Sequence, residues 1–195
     1  VLLWTFYFWK KDCEEKYYLK DPDYYIRQSF QKFIYRLNQP FLRVDQSAFV
    51  NVSIFDKPYL EALFGGVEFP DGTFAIDYLD ELIEHQKIFM EVVSDIRSHN
   101  MFTFPVLTYS LLYKDGKFED EEFARWCSDH NTVWNDSNFF MSDNVGVLSN
   151  CCRLLSDTSK LDGFINSIGG TALSIGSVKV NTINLMRIAY ETDFS

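Results

Sequence analysis

The stretch Leu148-Ser149-Asn150-Cys151-Cys152-Arg153-Leu154 places two adjacent cysteines between polar residues. Adjacent cysteines are an unusual way to fill a core, although a single free cysteine often packs there as a small hydrophobic residue. The polar neighbours Asn150 and Arg153 favour a tight turn that presents a sulfur to a substrate. Inert buried thiols are the alternative. A cation such as Arg153 would favour the thiolate or bind a phosphate, and neighbouring sulfurs also suit one-electron chemistry.

A glycine-containing loop and an alternating segment follow the cysteine pair. Residues 178–184, Val-Lys-Val-Asn-Thr-Ile-Asn, alternate between apolar and polar side chains and predict a β-strand, after which a helix begins at Leu185. Glycines at 163, 169, 170 and 176 would let backbone amides approach an anion. The loop lacks the spacing of a P-loop, so a flexible surface loop is an equal alternative.

Upstream of the cysteines, helix and strand patterns alternate along the chain. Asp21-Pro22-Asp23 has the residues of a helix start, and apolar side chains at helical spacing continue the helix to about Leu37. Strands separated by helices indicate an α/β fold with parallel strands. The remaining predicted helices cover residues 57–63, 74–99 and 119–129, the first of them opened by Asp56-Lys57-Pro58. The remaining predicted strands cover 49–55 and 102–109. Ile76 is expected on the apolar side of the long helix.

The composition fits one substantial domain and excludes some classes of function. The chain has 195 residues and a formal net charge of −10, which argues against a nucleic-acid-binding surface. No segment is long and apolar enough to span a membrane, and the apolar start, residues 1–9, lacks the order of a signal peptide. Four unpatterned cysteines indicate a reduced, cytoplasmic compartment. The chain begins at Val1 rather than Met, so we expect a piece of a longer protein.

The titratable residues do not outline a metal site. His85, His99 and His130 are not spaced to bind one metal from a single helical turn, and no metal ligands are predicted. The acidic residues of the long helix are expected to form a solvated face, which places negative charge near the positive end of the helix dipole.

Four blocks of sequence, in order, resemble the catalytic subunit of anaerobic (class III) ribonucleotide reductase, a glycyl-radical enzyme. They span about three quarters of the chain. Each block alone is modest, but four in the family's order are hard to obtain by chance. The blocks are Arg43-Val44-Asp45-Gln46-Ser47-Ala48-Phe49-Val50-Asn51, Phe102-Thr103-Phe104-Pro105-Val106-Leu107-Thr108-Tyr109, Cys151-Cys152-Arg153-Leu154, and Gly176 to Leu185 followed by Arg187-Ile188.

The resemblance implies a fold and a set of site residues. The fold would be part of a ten-stranded α/β barrel, with residues 1–195 in one catalytic domain and a finger loop threading its centre. Cys152, or failing that Cys151, would be the thiyl radical that takes the 3′ hydrogen of a ribonucleoside triphosphate. Asn184 would act at the ribose or formate site. The residues expected to hold substrate are Ser149, Asn150, Arg153, Gly176 and Ser177.

The resemblance also implies partners that this sequence does not contain. A glycyl radical would lie on another segment and would be generated by an activase that uses S-adenosylmethionine and an iron–sulfur cluster. Neither the N-terminal ATP-cone nor the C-terminal glycyl-radical region, with its zinc site, is recognisable here. Formate or a small redox protein would supply electrons, and allosteric dNTP or ATP would act on a homodimer.

Two other functions are compatible with the sequence. One is a different glycyl-radical enzyme, such as a formate-lyase relative, which can also carry adjacent cysteines. The other is a nucleotide-binding or assembly subunit without catalysis, in which residues 77–97 would form a helical dimer interface.

Overall fold

The structure, a computed structural model, describes residues 2–15, 21–39, 50–149 and 155–157, together with Arg187 and Tyr190. The predicted strand at 178–184 and the glycine loop before it lie outside the described residues. Helices are α1 (Leu2–Glu15), α2 (Pro22–Leu37), α3 (Lys57–Phe64), a 3₁₀ turn (Ala75–Tyr78), α4 (Leu79–His99) and α5 (Glu121–Trp134). Strands are β1 (Asn51–Phe55), β2 (Val106–Lys114), β3 (Lys117–Phe118), β4 (Ser137–Ser142), β5 (Val147–Ser149) and β6 (Leu155–Asp157).

A parallel sheet is the centre of the described fold. Strand β2 lies between β1 and β4 and runs parallel to both, with Ser53 opposite Thr108 and Thr108 opposite Asn138. The short β3 returns antiparallel to β2 through Asp115 and Gly116, both of which have positive φ. Strands β5 and β6 form a separate antiparallel pair. The predicted α/β class with parallel strands is therefore confirmed, and the ten-stranded barrel stays a prediction.

Three helices begin at an aspartate that caps the free backbone amides of the first turn. Asp21 accepts a hydrogen bond from the Tyr24 amide at 3.0 Å, and Pro22 follows it, as predicted from the sequence. Asp56 caps α3 in the same way, and Asp120 caps α5. These caps fix the starts of three helices, of which α3 and α5 lie between strands of the sheet.

Helix α4 is the central element of the apolar core. Phe89, Met90 and Val93 are fully buried on it. Helices α1 and α2 pack against it, and the ring of Phe30 from α2 meets that of Phe89 edge to face at 5.1 Å. The apolar start of the chain is therefore a packed helix, with Phe6 fully buried. No helix in the described part of the chain is both long and apolar enough to cross a membrane.

The structure corrects several predicted boundaries. The helix predicted over 74–99 begins as a 3₁₀ turn and becomes α-helical at Leu79, and Ile76 is 47% exposed rather than on the apolar side. The strand predicted over 102–109 begins at Val106 and continues to Lys114, since the preceding Pro105 has no amide hydrogen to donate to a neighbouring strand. The helix predicted over 119–129 runs from Glu121 to Trp134.

Candidate active site

One face of the parallel sheet carries a cluster of polar side chains, although the middle strand is buried on both sides. The register places Asn51, Ser53, Thr108, Ser110 and Asn138 on this face, together with apolar residues that include Phe55 and Phe140. Thr108 and Ser110 are 4% and 1% exposed, so polar groups are held out of bulk water here. The Thr108 hydroxyl donates to the side-chain oxygen of Asn51 at 3.4 Å. Ser110 Oγ is buried and has no hydrogen-bond partner among the described residues.

The opposite face of the sheet packs against α5. A buried series of hydrogen-bonded side chains connects the two. The Tyr109 hydroxyl lies 2.9 Å from Nδ1 of His130, and Nε2 of His130 lies 3.3 Å from the Ser94 hydroxyl. Ser94 donates to Asp136, which also pairs with Arg97. Since Ser94 uses its proton on Asp136, His130 donates from Nε2 and accepts from Tyr109 at Nδ1. This face is therefore structural, and burial lowers the pKa of His130.

A buried carboxylate lies where β1 and β2 approach their carboxyl ends. Asp56 is 1% exposed and accepts from the backbone amides of Tyr59 at 3.0 Å and Leu112 at 2.6 Å. Loss of hydration raises the pKa of Asp56 to about 6, against the opposing effect of those two hydrogen bonds. The negative charges of Asp120 and Glu119 act in the same direction as burial.

Tyr59, three residues after this cap, connects the sheet to the segment that leads to the cysteine pair. The hydroxyl of Tyr59, whose side chain is fully buried, lies 3.0 Å from the carbonyl oxygen of Val147 and 3.3 Å from that of Asn144. Val147 is the first residue of β5. A side chain of α3 therefore fixes the start of the strand that precedes the cysteines.

The paired strands β5 and β6 flank the cysteine pair. Ser149 is opposite Leu155, Leu148 is opposite Ser156, and Val147 is opposite Asp157. Of the predicted site residues, only the backbone of Ser149 is described. The others lie outside the described residues; they are Asn150, Cys151, Cys152, Arg153, Gly176, Ser177 and Asn184.

Sequence reasoning found Asp56 only as a helix start and did not find Tyr59. The N-cap is a local signal, but the second bond of Asp56, to Leu112, joins residues 56 positions apart. The bond from Tyr59 to Val147 joins residues 88 positions apart. No sequence pattern encodes either contact. Among the described residues, no group of three or more His, Cys, Asp or Glu side chains is placed to hold a metal ion.

The chain is similar to known proteins over nearly its whole length. A family model described as anaerobic ribonucleoside-triphosphate reductase matches residues 1–194. A search of curated proteins gave no match.

Solved structures of the anaerobic ribonucleotide reductase from Thermotoga maritima are similar in sequence and fold. The structure in complex with dATP and CTP is 46% identical over 97% of this chain and 30% of that chain, with a TM-score of 0.74. The structure with dATP in the specificity site is 46% identical over 97% of this chain and 31% of that chain, again with a TM-score of 0.74. The structure with citrate in the active site is 45% identical over 74% of this chain and 26% of that chain, with a TM-score of 0.69. This chain thus spans less than a third of the structures it matches.

Proposed function

Because the chain belongs to the anaerobic ribonucleoside-triphosphate reductase family, we propose that it is the part of the catalytic subunit that carries the reactive cysteine. The proposed reaction reduces ribonucleoside triphosphates to deoxyribonucleoside triphosphates for DNA synthesis. Family membership favours this reading over the formate-lyase relative and over the non-catalytic subunit considered from the sequence.

In this proposal the sulfur of Cys152 is the group that abstracts a hydrogen atom from the sugar. Cys151 is the second candidate. A glycyl radical elsewhere in the complete enzyme, made by an activase that uses S-adenosylmethionine and an iron–sulfur cluster, would supply the one-electron oxidation that turns this thiol into a thiyl radical. The sulfur then takes the hydrogen atom from the 3′ carbon of the ribose, so that one S–H bond forms and one C–H bond breaks. Formate or a small redox protein supplies the two electrons of the net reduction.

The pairing of β5 with β6 is the observation that carries this proposal. The two strands bring Ser149 and Leu155 opposite each other, and residues 150–154, which include the two cysteines, connect them in the sequence. A thiol on such a connection can be held in one position relative to a substrate, which is the requirement of a hydrogen-atom transfer. The buried polar face around Thr108 and Ser110 offers hydroxyl groups suited to a sugar.

The remaining predicted residues would hold the substrate around this sulfur. Asn184 would bond the ribose or the formate. Arg153 offers a guanidinium with the fork geometry that suits a phosphate. The other proposed substrate contacts are Ser149, Asn150, Gly176 and Ser177.

The complete enzyme would contain more than this chain. We assign residues 1–195 to a single catalytic domain, a ten-stranded barrel with a central finger loop, and place the ATP-cone, the glycyl radical and a zinc site elsewhere. We further propose a cytoplasmic homodimer regulated by dNTP and ATP. The relative from Thermotoga maritima, which has been solved with dATP in its specificity site, supports this regulation.

The test is substitution of each cysteine in the complete enzyme. We expect Cys152→Ala to abolish nucleotide reduction while the dissociation constant for the substrate stays unchanged, since the thiol acts on the sugar rather than holding it. Cys151→Ala is the matched control and should retain reduction. Reduction retained in Cys152→Ala but lost in Cys151→Ala would move the role to Cys151, and reduction retained in both variants would refute the proposal.

A further inference from the structure

The turn between β4 and β5 determines where the chain leaves the parallel sheet. The Ser142 hydroxyl donates to the carbonyl of Asn144, and the side chain of Asn144 accepts from the amide of Gly146 at 2.8 Å. The amide of Val147 donates to the carbonyl of Asn144 at 3.1 Å. The turn is closed by its own hydrogen bonds, so it moves as a unit with the first residue of β5.

This turn is held from outside by the hydroxyl of Tyr59. Its distances to the carbonyl oxygens of Val147 and Asn144 are 3.0 and 3.3 Å, and a phenol has one proton to share between them. The ring is fully buried and lies 5.7 Å from that of Phe55. The buried ring and its hydrogen-bonded hydroxyl together fix the position of the turn relative to the sheet.

Tyr59 is in turn fixed to the middle strand of the sheet. Its backbone amide donates to one carboxylate oxygen of Asp56, while the other oxygen accepts from the amide of Leu112. The amide of Asp56 also donates to the carbonyl of Ser110 at 3.2 Å. A continuous series of hydrogen bonds therefore runs from β2 through α3 to the start of β5.

We propose that Tyr59 is a positioning residue for the reactive thiol: its hydroxyl holds the Asn144–Val147 turn and so sets where β5, and the cysteines that follow it, stand relative to the sheet. This inference rests on the proposed function of the cysteine pair. Val147 is opposite Asp157, so a shift at Val147 moves both strands that flank residues 150–154. Misplacement of a reacting group by about 1 Å costs about 100-fold in rate.

The test is Tyr59→Phe in the complete enzyme, which removes the hydroxyl and keeps the ring. We expect kcat to fall by about 10- to 100-fold while KM and the substrate dissociation constant stay unchanged. Backbone amides of residues 147–149 and 155–157 should exchange hydrogen faster, and those of β1 and β2 should not. Asn144→Ala, which weakens the same turn without touching the buried ring, should produce the same pattern.

Tyr109→Phe is the matched control. Tyr109 is also fully buried and also loses one hydroxyl contact, to His130, but on the face of the sheet that packs against α5. It should leave kcat and the exchange of β5 and β6 unchanged. An unchanged kcat in Tyr59→Phe, unchanged exchange in β5 and β6, or an equal loss of kcat in Tyr109→Phe would each overturn the inference. If Tyr59→Phe shows faster exchange while both cysteine variants retain reduction, the proposed function fails and the anchoring of the turn stands.

Discussion

The carboxylate of Asp56 should make the stability of this fold depend on pH in a way that a single substitution can isolate. Asp56 is buried, and its pKa is raised from 3.8 to about 6 in the folded protein. Asp56→Asn removes the titration at this position. The variant replaces one accepting oxygen by an amide, so we expect it to lose a backbone hydrogen bond at every pH. That constant loss does not affect how stability changes with pH.

The sign and size of the change follow from proton linkage. A raised pKa means that the folded protein binds the proton more tightly than the unfolded chain, so the contribution of Asp56 is fully present below about pH 4 and is lost as pH rises through 6. A shift of about 2 pKa units corresponds to about 3 kcal/mol. The wild-type protein should therefore lose about 3 kcal/mol of unfolding free energy relative to Asp56→Asn between pH 4 and pH 7.

The assay is urea denaturation of both proteins at several values of pH, with the difference in unfolding free energy plotted against pH. The difference is needed because His85 acts oppositely: burial lowers its pKa to about 4, so its contribution grows as pH rises. Asp71, whose pKa is lowered to about 2 by hydrogen bonds from Thr73 and Lys11, titrates below this window. Both groups are present in both proteins and cancel. Parallel stability curves for the two proteins would refute the burial argument for Asp56.

Two further predictions test the core. His85→Gln should remove a contribution to stability that rises by about 3 kcal/mol between about pH 4 and pH 6.5, since the imidazole is buried among aromatic rings. Because Asp56 acts oppositely over this range, the check is the difference in unfolding free energy between the wild type and His85→Gln at both pH values, and a difference that does not change with pH would exclude this contribution. Phe89→Ala should lower the unfolding free energy by about 3 to 5 kcal/mol, whereas Ile76→Ala, at an exposed position of the 3₁₀ turn, should cost less than about 1 kcal/mol. Similar losses for these two variants in urea titrations would contradict the corrected start of α4.

The tautomer of His85 shows why its buried ring is stable when neutral. The Thr5 hydroxyl donates its proton to the carbonyl of Leu2 at 2.8 Å, so at its 3.1 Å contact with Nε2 of His85 it must accept. Nδ1 is then the unprotonated nitrogen, and it has no hydrogen-bond partner among the described residues. Protonation would bury a positive charge, with a second, unpaired N–H, among aromatic rings, and the loss of hydration of that charge lowers the pKa.

Local signals explain which parts of the fold were predictable. The start of α2 at Asp21 and Pro22, and the start of α3 at Asp56, depend on side chains that bond amides three residues away, and both were found. The strand that contains Tyr109 was predicted to begin too early, because Phe102-Thr103-Phe104 has the alternation of a strand. Residues 102 and 104 instead lie in the approach to β2, where the side chain of Asn38, in α2's C-cap, bonds both backbone groups of Phe104.

The reactive residues of the candidate site could be predicted from the sequence, but the residues that hold them in position could not. The cysteine pair stands out because adjacent cysteines with polar neighbours do not suit a core, and the order of four blocks identified the family. The connection from Asp56 through Tyr59 to Val147 depends on contacts between distant residues, and a tyrosine within an apolar helix looks the same whether its hydroxyl is bonded or not. Such supporting residues are visible only when the chain is folded.

The sequence of β2 contains one more signal, and its meaning depends on the fold. Leu107, Tyr109 and Leu111 alternate with Thr108 and Ser110, which in an exposed antiparallel sheet would indicate a solvated face. In the structure all five residues are buried, because β2 is the middle strand of a parallel sheet. Burying a hydroxyl without a partner is costly. Thr108 bonds Asn51, but Ser110 Oγ has no partner among the described residues, so we propose that it meets a polar ligand on the face of the sheet away from α5.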